Sequence, residues 1–224
     1  MRQVSEFDRA QNAFWQNTTN LRPYNHPVVR AFAEQRVAII AELLNGIQFD
    51  RMLDVGCGDG FGLYYMRRLT AHIYGCELSA AMLRQNPMNR ILCQADAYQL
   101  PYANRSFDVV YCWEVLHHIY DPVLVVREMA RVSRKYVLLC EPNSFNPLMA
   151  LFGVLGPAEG GILRFTPWYL KRLARESGLC IRHMVSIGCF TPNRTPAWLA
   201  GFLRQLPQRW LLVGLSNIVL AELE

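Results

Sequence analysis

No apolar run in this chain reaches the roughly eighteen residues needed to cross a bilayer. The longest, Leu148–Leu155 and Trp210–Leu215, stop well short of that length. The opening residues Met1 to Asp8 lack the apolar core of a signal peptide, so a cytoplasmic location is expected. The seven cysteines are odd in number and contain no Cys-x-x-Cys pair. That argues against a disulfide framework or zinc ribbon and for reduced thiols used as small core residues. Long blocks of Lys or Arg are absent and the net charge is only +5, so no nucleic-acid partner is expected. A weak preference for anionic substrates or surfaces stays open, peripheral membrane contact included. Repeats, low-complexity tracts and linkers are also missing. The 224 residues are therefore expected to form one domain, either monomeric or homodimeric. A charged fraction of 18% against 52% hydrophobic residues excludes a disordered chain.

Short apolar runs alternate with helical segments along most of the chain. Residues 1–26 are polar and read as irregular. From Pro27, apolar residues at helical spacing (Val29, Phe32, Val37, Ile40, Leu44) predict a long helix ending at Asn45-Gly46. Strands are predicted at Phe49–Val55, His72–Cys76, Ile91–Ala95, Phe107–Trp113 and Tyr136–Cys140. Helices are predicted between them at Gly62–Leu69, at Ser79–Gln85 behind a serine cap, and at Pro122–Val132 behind Asp121. Strand–helix alternation with short connections predicts an α/β fold: a doubly wound, mostly parallel seven-stranded sheet with helices on both faces. After Glu141-Pro142-Asn143 the rhythm breaks. The glycine-interrupted apolar stretch up to Leu163 reads as an insertion or lid following the fifth strand. A helix from Thr166-Pro167 to Glu176, a strand at Cys180–Ile187, a helix at Ala197–Gln205 and a last strand at Asn217–Leu223 complete the order. Three parts are expected: 1–46 as N-terminal lid and helix, 47–142 as a cofactor-binding half, and 143–224 as the acceptor side.

The first strand runs into Leu53-Asp54-Val55-Gly56-Cys57-Gly58-Asp59-Gly60-Phe61-Gly62. Alternate glycines permit backbone angles closed to other residues and allow a ligand close to the main chain. The helix behind them offers its free N–H groups. Glu77 ends the second strand, where a carboxylate can hold both ribose hydroxyls, with Leu78 beside it. Asp96-Ala97 closes the third strand. The dinucleotide fingerprint Gly-x-Gly-x-x-Gly fails in both registers, because Phe61 and Leu63 stand where its last glycine belongs.

The segment Asp54, Gly56, Gly58, Gly60 resembles the first motif of class I S-adenosylmethionine-dependent methyltransferases. Leu100-Pro101, Ser106–Val110 and Glu114-Val115-Leu116-His117-His118 with Asp121-Pro122 resemble that family's central region, over residues 49–141 in all. The resemblance implies that S-adenosylmethionine binds at Asp54, Gly56, Cys57, Gly58, Gly60, Glu77, Leu78, Asp96, Ala97 and Trp113, and leaves as S-adenosylhomocysteine. An aromatic face such as Trp113 suits a sulfonium. Candidates for a general base are His117 and His118, with Tyr24 and His26 ahead of the first helix. No metal is expected from the spacing of His, Cys and acidic residues. The expected acceptor is a small molecule, apolar, aromatic or lipid-linked, taking the methyl on O, N or C. It would be enclosed by the N-terminal segment, residues 143–165 and the region 190–198, parts that carry Phe145, Phe152, Phe165, Phe190 and Trp198. Lys171, Arg172 and Arg175 read as a solvated helix face. An NAD(P)-dependent oxidoreductase and a non-catalytic cofactor-binding member of the fold are the open alternatives.

Overall fold

A computed structural model describes residues 4–18, 21–210 and 212–223. The seven strands are β1 (Arg51–Val55), β2 (His72–Glu77), β3 (Leu92–Gln94), β4 (Phe107–Trp113), β5 (Ser133–Pro142), β6 (Leu179–Ile187) and β7 (Ser216–Leu223). They form one sheet in the order β3-β2-β1-β4-β5-β7-β6. Strands β1 to β5 pair in parallel, and β7 runs antiparallel to both β5 and β6. The expected α/β fold is present, with the last strand reversed relative to β1 to β5. Strand order turns back between β1 and β4, and in such sheets ligands bind beyond the carboxyl ends of the strands at that point.

The two-residue period of the strands sorts the core into two layers. Met52, Val109, Tyr111, Trp113, Leu138, Ile218 and Leu220 face the layer built with α2 (Pro27–Leu43) and α3 (Phe61–Met66). Leu53, Val55, Val110, Cys112, Val137, Leu139, Val219 and Ala221 face α5 (Pro122–Val132) and α7 (Pro167–Glu176). Strands buried on both faces read as continuous apolar runs, which is why β4 and β5 were easy to see. Pro27, Pro122 and Pro167 each occupy the first turn of their helix, behind caps from His26, Asp121 and Thr166. No disulfide links the cysteines, and Cys57, Cys76, Cys112 and Cys140 are buried.

Two regions hold more regular structure than expected. The N-terminal stretch is helical rather than irregular: α1 (Glu6–Asn17) starts behind Ser5, whose side chain accepts from the Asp8 N–H. Its inward face is Phe7, Gln11, Phe14 and Trp15, a helical spacing hidden by polar neighbours. The insertion after β5 contains α6 (Pro147–Leu155) and a 3-10 turn at Gly160–Arg164. Helix α6 buries Met149 and Gly153 but leaves Leu148, Leu151, Val154 and Leu155 exposed. Helix α4 (Ala80–Gln85) and helix α8 (Ala197–Leu203) lie as expected, the latter two residues shorter. No helix among the described residues is long and apolar enough to cross a membrane.

Candidate functional site

A cavity of about 550 Å³ opens above the carboxyl ends of β1, β2 and β4. Its wall brings together Asp54, Gly56, Cys57, Gly58, Glu77, Leu78, Asp96, Ala97, Trp113, His117 and His118. The sequence places these on four separate strand ends. Only the parallel topology makes them neighbours.

The floor is the turn after β1. Gly56 has φ +76° and Gly60 φ +83°, both in the left-handed region that favours glycine. A Cβ on Gly56 would stand 2.6 Å from Val115 Cγ2, so the turn is pressed against the loop after β4. Gly60 is not in the cavity wall. It caps α3 and packs against the Asn86 side chain. Glu77 holds the turn in place: its two carboxylate oxygens accept from the N–H groups of Gly58 (3.1 Å) and Ser79 (2.8 Å). One lone pair on each oxygen remains for a ligand. Asp96 Oδ1 accepts from the Tyr98 N–H at 3.0 Å, leaving its second oxygen.

Asp54 is buried, and its Oδ1 has no hydrogen-bond partner. Burial pushes its carboxyl up to about 8; the Tyr111 hydroxyl pulls the other way and the Glu77 charge adds to the rise. A buried carboxylate oxygen without a donor is costly. An ammonium entering the cavity would be such a donor, so the residues fit the amino-acid end of an S-adenosyl compound. Trp113 packs edge-on to Phe61, 5.4 Å between ring centroids, and parallel to Phe32 at 6.2 Å. Trp113 Cε3 lies 3.1 Å from where a Cβ on Gly62 would be. The indole therefore stands beside the start of α3.

The loop after β4 is organised by Glu141, which in the sequence marks only where the strand–helix rhythm breaks. Glu141, fully buried at the end of β5, accepts from the N–H groups of Val115 (3.0 Å), Leu116 (2.8 Å) and His117 (3.3 Å). It also bonds His117 Nδ1 at 2.8 Å. Glu159 approaches His117 Nε2 at 3.5 Å. Burial alone would lower the His117 pKa, but the two carboxylates outweigh it and hold the imidazole up to about 9. This environment favours the protonated ring over the free base. His118 is the reverse: burial and the neighbouring His117 charge keep it well below the usual imidazole range, and its Nδ1 has no partner. Trp15 of α1 packs edge-on against it at 5.0 Å. His117, His118 and Glu159 offer ligand atoms within 4.8 Å of one another. Sequence spacing could not reveal this grouping, because Glu159 comes from the insertion.

Tyr24 and His26 stand apart from the cavity wall. Tyr24 packs tilted against Tyr64 at 4.4 Å between ring centroids, and His26 Nδ1 accepts from the Val28 N–H as the cap of α2. Of the five aromatic residues expected around an acceptor, only Phe152 lines the cavity. Phe165 and Phe190 are core, Phe145 packs outside against Trp168, and Trp198 is 76% exposed. Helix α1, in the N-terminal segment expected to enclose the acceptor, supplies a wall through Asp8, Gln11, Phe14 and Trp15. It is tied across the opening: Asp8 accepts from the Tyr98 hydroxyl (3.2 Å) and the Tyr120 N–H (3.0 Å), and Gln11 donates to the Ala158 carbonyl (2.8 Å).

A family model described as a methyltransferase domain matches residues 53–140, which spans β1 through most of β5. The ubiquinone biosynthesis O-methyltransferase of Alkalilimnicola ehrlichii is 29% identical, over 81% of this chain and 79% of the relative. Geranyl diphosphate C-methyltransferase from Streptomyces coelicolor shares the fold with a TM-score of 0.67 at 11% identity, covering 99% of each chain. Magnesium protoporphyrin IX methyltransferase from Synechocystis, solved with bound S-adenosylhomocysteine, does so with a TM-score of 0.65 at 12% identity, covering 98% of this chain and 100% of its own. The glycine turn, the carboxylates at the strand ends, the reversed seventh strand and these likenesses together support a class I S-adenosylmethionine-dependent methyltransferase.

Proposed function

We propose that this enzyme moves the methyl group of S-adenosylmethionine onto an oxygen of a small, largely apolar molecule. The observation that carries the proposal is the joining of two regions in one cavity. One is polar, built from Asp54, the Gly56–Gly58 turn, Glu77 and Asp96. The other is apolar, with Val29, Phe32, Met149, Phe152, Ile162 and Leu215 in its wall. When bound, the cofactor supplies an already activated methyl on a positive sulfur. The protein's task is then to bind, aim and exclude water.

In this reading Asp54 receives the ammonium of the methionine part against the glycine turn. Glu77 uses its remaining lone pairs for the ribose hydroxyls, and Leu78 covers that edge. Asp96 accepts from the adenine amino group, with the Ala97 amide facing the ring. Trp113 turns its face to the sulfonium end. Helix α1 closes the opening, and Cys57 packs under the turn. Oxygen as the receiving atom follows the O-methyltransferase relatives. A location in the cytoplasm accords with seven cysteines held without a disulfide. One domain spanning the whole chain accords with a single sheet from β3 to β6.

The test is transfer of labelled methyl from S-adenosylmethionine to a panel of hydroxylated aromatics of increasing alkyl length. Label appearing in an ether product supports the proposal. Tight S-adenosylhomocysteine binding with no transfer to any hydroxyl, amine or carbon acceptor would leave a binding protein instead.

A further inference from the structure

Arg36 is the largest fully buried side chain described, 1% exposed, in the apolar part of the cavity wall. It projects from the middle of α2, where the periodicity calls for an apolar residue. Its Nη2 donates to Ser216 Oγ at 2.9 Å, while Nε and Nη1 have no partner. Phe32 lies under the guanidinium, 3.4 Å from Cζ to the ring centroid. Gly188 leaves the room above: a Cβ there would come within 3.0 Å of Nη2. Ser216 Oγ donates in turn to Glu114 Oε1 at 3.1 Å. Glu114 follows Trp113 directly and holds φ +55°, a strained angle for a residue with a side chain. The Glu114 carboxylate therefore reaches the guanidinium through a hydroxyl, and Arg36 keeps donors to spare inside an apolar chamber.

A buried cation with unsatisfied donors is costly to keep, and a residue at this position would pack as well with Leu or Met. The cost is recovered when an anion enters, because hydrogen bonds between ionised groups in a dry site are the strong ones. Phe32 fixes the plane of the guanidinium, and Trp113 bridges from Phe32 to the Gly62 end of the glycine turn. The donors thus lie one aromatic layer from the place where the methyl donor is held.

We propose that Arg36, set by Phe32 and Ser216, is the acceptor-recognition group of this enzyme and takes an anionic oxygen, a carboxylate or an ionised acidic hydroxyl, on the acceptor. The assignment rests on the methyltransferase reading of the same cavity. Glu114 is the competing anion: its charge holds the guanidinium when no acceptor is present and excludes acceptors carrying a second negative group there.

The experiment uses the full chain saturated with S-adenosylhomocysteine and titrated calorimetrically with benzoate, with 4-nitrophenol above and below its pKa, and with neutral benzamide. Benzoate and the phenolate are expected to bind, and benzamide to bind about tenfold more weakly or worse. Binding of benzoate but not the phenolate would restrict the site to carboxylates, and the converse to acidic hydroxyls; both keep Arg36 as the anion site. Arg36→Met is expected to abolish the preference while S-adenosylhomocysteine affinity changes less than twofold. Glu114→Gln is expected to tighten benzoate binding, a gain that a merely structural role would not produce. If Arg36→Met fails to fold, the wild-type ligand pair and Glu114→Gln still decide. Equal binding of benzoate and benzamide, an unmoved Glu114→Gln, or full anion binding by Arg36→Met would overturn the inference. Wild-type protein that fails to bind S-adenosylhomocysteine would instead overturn the function on which it rests.

Discussion

Replacing Asp54 by asparagine keeps the shape of the side chain and removes its charge. In the wild type, burial holds this carboxyl up to about 8, so near pH 7 it is mostly protonated before ligand arrives. Binding an ammonium requires the ionised form, and freeing the proton costs roughly 1.4 kcal/mol for each pH unit below that value. The hydrogen bond to a charged partner then returns about 1.5–3 kcal/mol. Above pH 8 the wild type should hold S-adenosylhomocysteine roughly ten- to a hundredfold more tightly than Asp54→Asn. At pH 6 the proton penalty has grown to about 2.7 kcal/mol, and the two affinities should converge. Titration calorimetry in two buffers of different ionisation enthalpy reads both quantities. The wild type is expected to release a large fraction of a proton per ligand near pH 7 and less at pH 6, where the bound carboxyl regains its proton, and the variant none through this group. The ligand's own amine titrates identically in both proteins, so it cancels from the comparison. Parallel affinity curves, or equal proton release, would refute the role given to Asp54.

Other perturbations separate the turn, the loop after β4 and the lid. Gly56→Ala combines a left-handed φ with a Cβ driven to 2.6 Å from Val115, and should destabilise by about 1–3 kcal/mol while weakening S-adenosylhomocysteine. Adding Val115→Ala should return part of the stability measured by urea unfolding, since it relieves the clash but not the backbone angle. Glu141→Gln breaks a buried hub of three N–H groups and an imidazolium, and should cost about 3–5 kcal/mol, a fall in Tm on the order of 10 °C. The His117 pKa is raised from 6.5 to about 9. Its contribution to stability is therefore whole below pH 6.5 and is lost as pH rises through 9. Glu141→Gln should flatten that slope; an unchanged pH profile would show that His117 is not held by Glu141. Asp8→Ala frees α1 from Tyr98 and Tyr120, and should speed both proteolysis within residues 6–17 and dissociation of S-adenosylhomocysteine. Cleavage at the wild-type rate would mean that α1 does not gate the cavity.

Much of this architecture can be read from residue order, for identifiable reasons. Strands buried on both faces produce unbroken apolar runs, and proline at the first helical turn marks where α2, α5 and α7 begin. The glycine turn is legible because its conformations are nearly closed to other residues. Helix α1 was not, because its inward face uses Gln11 beside Phe7, Phe14 and Trp15, and a half-polar face gives a weak period. The Arg36–Ser216–Glu114 chain and the Glu141 hub join residues from distant segments, and no local spacing encodes them. Glu141 at the end of β5 has the same placement as Asp54 and Glu77, but the N–H groups it holds lie in the loop after β4, which no local pattern marks. Aromatic content misled: Phe165 and Phe190 fill the core and Trp198 points to solvent, so bulk and hydrophobicity alone did not distinguish a pocket wall from packing. Histidine identity alone does not show which ring is held protonated: Glu141 and Glu159, which push the His117 pKa up, are distant in the sequence.

The most direct test of the account is differential stabilisation of the wild-type chain by S-adenosylhomocysteine and by NADH, followed by urea unfolding at fixed ligand excess. At ligand a hundredfold above its dissociation constant, S-adenosylhomocysteine should raise the unfolding free energy by about 2.7 kcal/mol, and NADH should leave it unchanged. Stabilisation by NADH with no response to S-adenosylhomocysteine would contradict the assignment of the cavity.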